Sequence, residues 1–77
     1  MPNAIYNLFG FRFFFYSNEE SRVHVHIEHG EYEIKVWMDT YEVAYSNMPK
    51  RLQGKAVELA RKNEEIIKAK WKEHFKT

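Results

Sequence analysis

The sequence contains no cysteine, which excludes a disulfide framework and any thiolate metal site. No apolar run approaches membrane-spanning length, the longest being Phe13-Phe14-Phe15-Tyr16. The first residues, Met1-Pro2-Asn3-Ala4-Ile5-Tyr6, lack a basic region followed by an apolar stretch, so a soluble cytoplasmic protein is expected. Glycine is scarce, and no phosphate-binding glycine motif is present. A helical zinc-protease pair, a serine nucleophile in a recognisable context, an internal repeat and a low-complexity tract are also missing. What the chain has instead is aromatic residues, 17% of 77 positions. They matter because a chain this short makes one domain, 1–77, near the size where a single core barely suffices. Each buried ring removes a large apolar area from water.

A net charge of +1 hides an asymmetry. Residues 1–48 hold three Lys or Arg (Arg12, Arg22, Lys35) against seven acids, a balance of −4; residues 49–77 hold nine against four, a balance of +5. The first part is aromatic and acidic, the second basic and helical in pattern. Such a split marks either contact with nucleic acid or an acidic partner, or an exposed helix face solvated by lysines.

The stretch from Arg22 to Met38 alternates and predicts two β-strands. Val23, Val25, Ile27, Tyr32, Ile34, Val36 and Met38 share one face, while His24, His26, Glu28, Glu31, Glu33, Lys35 and Trp37 share the other. A turn at His29-Gly30 sets Glu28 opposite Glu31, His26 opposite Glu33 and His24 opposite Lys35. Before it, Gly10–Tyr16 reads as a strand with Phe11, Phe13 and Phe15 toward the core and Arg12, Phe14 and Tyr16 on the histidine side, Phe14 making both faces partly apolar. Residues 1–8 read as an irregular lead-in and Ser17–Ser21 as a polar turn. Asp39-Thr40 predicts another turn and Tyr41–Tyr45 a short strand.

From Ser46 or Asn47 as cap, with Pro49 in the first turn, the pattern predicts a helix. Its apolar stripe is Leu52, Ala56, Leu59, Ala60, Ile66, Ile67, Trp71 and Phe75. Its solvent face carries Lys55, Arg61, Glu65, Lys68, Lys72 and Lys76. The stripe keeps its phase through Asn63 and favours one continuous helix, with a break capped by Asn63 as the alternative. The fold class expected is α+β: an antiparallel meander of three to four strands (strand-rich 9–45) with a long, breakable C-terminal helix (48–76) on one face. The histidine face is then left uncovered unless a partner or second subunit hides it.

Met1-Pro2, Gly10-Phe11-Arg12-Phe13-Phe14-Phe15-Tyr16-Ser17-Asn18, His24-Val25-His26-Ile27, Ile34-Lys35-Val36-Trp37-Met38, Glu42-Val43-Ala44 and the late Trp71 together resemble the small bacterial and archaeal proteins of domain of unknown function 4160. Members of that family usually carry two prolines before the His-x-His, where this chain has Arg22-Val23. The resemblance brings no established activity or catalytic residues. Genes of the family often neighbour those of domain of unknown function 2442, in suspected toxin–antitoxin pairs. It therefore implies a toxin-like protein with a small protein partner encoded beside it.

His24 and His26, two apart on a strand, point to the same face. Three roles stand open. As acid and base, with Glu33 alongside and Lys35 or Arg12 stabilising charge on phosphorus, they would cleave RNA in a ribonuclease-like reaction. As metal ligands, they would join Glu28 or Glu33 in a two-His, one-carboxylate set. As structural residues, they would hydrogen-bond Glu33 and neighbouring backbone or fill a homodimer interface. No cofactor is expected. Trp37 either stacks on a base, anchors a protein partner, or packs over Lys35 or Arg12. The competing function classes are an RNA-acting enzyme, a non-catalytic protein-binding module and a nucleic-acid binder using the basic helix. His29 reads as a turn residue, and His74 suits the C-terminal end of a helix dipole.

Overall fold

The computed structural model describes residues 3–16 and 21–75, with side chains from residue 7 onward. Five strands, β1 (Asn3–Leu8), β2 (Phe11–Phe15), β3 (His24–His29), β4 (Tyr32–Trp37) and β5 (Val43–Ser46), form one antiparallel sheet in sequence order. Helices α1 (Lys50–Lys62) and α2 (Glu64–His74) follow, so the fold is α+β. The polar turn expected at Ser17–Ser21 lies, but for Ser21, outside the described residues, as do Met1, Pro2 and Lys76.

The supposed lead-in is a strand. β1 pairs along β2, from Asn3 opposite Phe15 to Leu8 opposite Phe11. The two loop residues, Phe9 and Gly10, have φ of 51° and 81°. Positive φ at both central residues defines a type I′ hairpin turn, usually marked by Asn-Gly. A phenylalanine in the first position hides that signal, and it also costs energy, because Cβ crowds the carbonyl in the left-handed region. The ring recovers little, being 75% exposed. Phe9→Asn is therefore expected to stabilise the fold by about 1 kcal/mol, or roughly 4–8 °C in Tm. A thermal melt that moves downward would contradict this reading of the turn.

The central hairpin differs from expectation by one step. Its loop is Gly30-Glu31, with Gly30 at φ 62° in the first central position, where a type II′ turn takes glycine. His29 lies opposite Tyr32, Glu28 opposite Glu33, His26 opposite Lys35 and His24 opposite Trp37. Each partner moves by two residues, so every side chain keeps its face while the cross-strand pairs change.

The inner face follows the alternation. Phe11, Phe13, Phe15, Val25, Ile27, Ile34 and Val36 join Met38, Met48, Ala56, Leu59, Ala60, Ile67 and Trp71 in the core. The helix is not continuous. Asn63 leaves helical geometry at φ −111° and ψ 25°, and its side-chain amide donates to the Leu59 carbonyl at 2.8 Å rather than capping α2. Arg61 and Lys62 close α1 while Glu64 and Glu65 open α2, charges that suit the two helix dipoles. The break rotates the stripe: Ile67 and Trp71 point inward, while Ile66 is 49% exposed. Tyr41, itself at φ 65°, fastens this break to the sheet. Its hydroxyl donates to Glu64 and its ring lies beneath Arg61 at 4.7 Å.

The helix start also departs from expectation. Ser46 and Asn47 are spent elsewhere, the Ser46 hydroxyl accepting from the Met48 amide at 3.0 Å and the Asn47 side chain from the Glu33 amide at 2.7 Å. Pro49 occupies the N-cap position, without a side-chain cap. No helix among the described residues is long and apolar enough to cross a membrane.

Candidate functional site

The outer sheet face is built by register. One cross-strand row runs Phe14, His26, Lys35, Tyr45, and the next pairs His24 with Trp37. Arg12, Glu28 and Glu33 make a third row. The alternation thus brought His24, His26, Glu33, Lys35, Arg12 and Trp37 to one face, as their sequence positions imply.

The face is not left bare as expected. His24 is 0% and His26 3% exposed, because aromatic side chains of the same face close over them. Phe14 stacks on His26 with ring centroids 5.5 Å apart, and Tyr16 meets it edge-on at 4.5 Å. The two imidazoles lie 5.3 Å apart. His24 is further enclosed by Trp37 at 5.4 Å and by Trp71 of α2 at 5.0 Å. Trp71 also packs on Phe15 at 5.3 Å. It touches both faces where the β2–β3 ladder ends, the last pair being Phe14 with His26.

Each imidazole has a defined polar partner. The Nδ1–H of His24 donates to the Arg22 carbonyl at 2.6 Å, which assigns that nitrogen its proton. Nδ1 of His26 lies 3.2 Å from Glu33 Oε2 and 3.2 Å from the Tyr45 hydroxyl, which donates to Glu33 Oε2 at 3.0 Å. His26, Glu33 and Tyr45 thus form a closed hydrogen-bonded triangle across three strands. Tyr45 is its solvent-facing corner, 49% exposed.

Tyr45 was not legible as a site residue. Val43 packs against the core, and regular alternation puts Tyr45 beside it. A register shift intervenes, because Val36 pairs with Val43 and Lys35 with Tyr45, leaving Ala44 as an extra residue. That bulge turns Tyr45 to the outer face.

The cations surround this centre. Arg22 grips Asp39 through two hydrogen bonds of 2.9 Å, and its guanidinium lies 4.2 Å over the Trp37 ring. That hydrogen bond from Arg22 is the main reason the Asp39 carboxyl sits below the ordinary carboxylate range. Lys35 Nζ lies 4.5 Å from the same ring. Trp37 therefore packs beneath Lys35 and Arg22; Arg12 instead pairs with Glu28 at 2.9 Å and lies 5.3 Å from the Phe14 ring. Among the described residues, no three His, Asp or Glu side chains converge as a metal-holding group, so the two-His, one-carboxylate set is not assembled. His29 ends β3 with its ring 4.5 Å from Phe11, and His74 packs on Phe15 and Phe75 in the last turn of α2.

No curated protein and no solved structure matches the chain. The family described as Domain of unknown function (DUF4160) matches residues 10–72, a span holding every strand of the sheet except β1 and reaching Trp71. A match over most of the chain, with the enclosed histidines, their strand partners and the closing tryptophan inside it, means that the chain belongs to that family.

Proposed function

We propose that the protein is the toxin-like member of a two-protein module, working in the cytoplasm, and that it engages RNA through the outer sheet face. The observation that carries this reading is the grouping of Arg22 and Lys35 around Trp37, beside the His26–Glu33–Tyr45 triangle. Lys35 supplies positive charge for the phosphates of a single strand, and on swinging toward them it uncovers the Trp37 ring as a flat surface for a base. The histidines support the face rather than meet the ligand, since both are enclosed. The small protein expected beside it, of the domain of unknown function 2442 type, is then the partner that occupies this face.

The basic helices support the nucleic-acid reading less well. Lys55 and Lys62 pair with Glu58, and Lys68 pairs with Glu64, so part of their charge is answered within the helices. A non-catalytic binding module remains the second reading, favoured by the burial of both imidazoles.

The test is binding of a single-stranded oligoribonucleotide over a range of salt. Wild type is expected to weaken steeply with salt, and Lys35→Ala to reduce the log–log slope by about 0.7, the share of one phosphate contact on a single strand. Salt-independent binding, or a slope untouched by Lys35→Ala, would remove the sheet face from consideration. Growth of cells expressing the protein with and without the neighbouring gene product tests the module itself, inhibition relieved by the neighbour being the expected result.

A further inference from the structure

We infer that Tyr45 is the catalytic acid of a phosphodiester-cleaving site, its hydroxyl positioned by His26 and Glu33. This rests on the RNA reading above and names the group through which that face acts. Three observations carry it. The phenol, the carboxylate and Nδ1 of the imidazole form a closed triangle with sides of 3.0, 3.2 and 3.2 Å. Its members come from β3, β4 and β5, so the sheet itself holds the geometry. Exposure rises outward from His26, at 3%, to Tyr45, at 49%, which makes the phenol the corner that a substrate reaches.

A merely structural histidine does not require this arrangement. Glu33 already satisfies Nδ1 of His26, and half of Tyr45 stays in solvent, so the hydroxyl adds little burial. The residue is nonetheless brought here by a bulge at Ala44, in an edge strand of four residues. Bulges of this kind re-aim side chains next to active sites. Lys35, paired across strands with both His26 and Tyr45, supplies positive charge for the phosphoryl oxygens.

In the reaction the ribose 2′-oxygen bonds to phosphorus and its proton passes to water. The P–O5′ bond breaks, its electron pair going to O5′, which takes the proton of the Tyr45 hydroxyl. The phenolate, held meanwhile by Nδ1–H of His26 at 3.2 Å, recovers a proton from the solvent that received the one from O2′. A 2′,3′-cyclic phosphate and a 5′-hydroxyl are formed, and the protein ends as it began.

The experiment compares wild type and Tyr45→Phe on two oligoribonucleotides, one natural and one with sulfur replacing the bridging 5′-oxygen. A thiolate leaves without a proton, so a missing acid is rescued there and a general structural defect is not. Tyr45→Phe is expected to cleave the natural substrate at least about 100-fold more slowly, with RNA affinity and thermal midpoint unchanged, and to recover most of the wild-type rate on the sulfur substrate. Equal slowing on both substrates overturns the assignment of the acid, as does RNA binding by wild type without cleavage. Failure of wild type to bind RNA at all overturns the functional reading together with it.

Discussion

Replacing Trp71 by alanine is expected to cost about 3–5 kcal/mol, the range for removing a large buried aromatic side chain. For 77 residues the whole stability is on the order of 4–12 kcal/mol, so the substitution removes from about a quarter to all of it. The size of the effect follows from the position of the ring. Trp71 packs on Phe15 in the core at 5.3 Å, on Phe75 at 4.2 Å and on His24 of the outer face at 5.0 Å. Its loss removes the end of α2 from the sheet and opens the enclosure of His24 in the same stroke. Urea unfolding measures the loss. Trp71→Phe should retain a large part of it, because a smaller ring still fills part of the space. An unfolding free energy of Trp71→Ala within about 1 kcal/mol of wild type would mean that α2 is not what closes that end of the sheet.

The residues that pack against one another were largely readable from alternation, and those that depart from it were not. Phe11, Phe13, Phe15, Val25, Ile27, Ile34 and Val36 reach the core as their spacing requires, because side-chain parity survives an error of two in register. The hairpin illustrates this: its turn moved from His29-Gly30 to Gly30-Glu31, yet His24 and His26 stayed on the outer face. A bulge is different, since a single extra residue reverses parity, and Tyr45 was lost from view for that reason. The first strand is concealed because Phe9-Gly10 does not look like a hairpin turn. The apolar stripe keeps its phase through Asn63 and so conceals the helix break, which the charges mark. The basic pair Arg61-Lys62 followed by Glu64-Glu65 is a signal of one helix ending and another beginning. Enclosure of the histidines was hidden for a further reason. Phe14, Tyr16 and Trp37 each sit at positions that alternation assigns to solvent, and it is their rings, with Trp71, that shut the face.

That enclosure changes what a histidine substitution can report. The double variant His24→Ala, His26→Ala is expected to lose stability rather than only chemistry. Each imidazole fills space among packed rings, and truncating a buried side chain of such size costs roughly 2–5 kcal/mol. It also takes the His24 partner from the Arg22 carbonyl and the His26 partner from Glu33 and Tyr45, which keep each other. The rings lie 5.3 Å apart, so the two costs share one cavity and will not add as independent terms. Urea midpoints and near-ultraviolet circular dichroism of both single variants and the double are the measurements. The expected result is a lowered midpoint in each single variant and loss of the aromatic signal in the double, whatever becomes of RNA binding. A double variant with the wild-type midpoint would show that the imidazoles bear no part of the packing, and would return them to the ligand-facing role. Tyr45→Phe, which keeps the ring of a half-exposed residue and removes only its hydroxyl, is free of this confusion. It separates chemistry from fold where the histidines cannot.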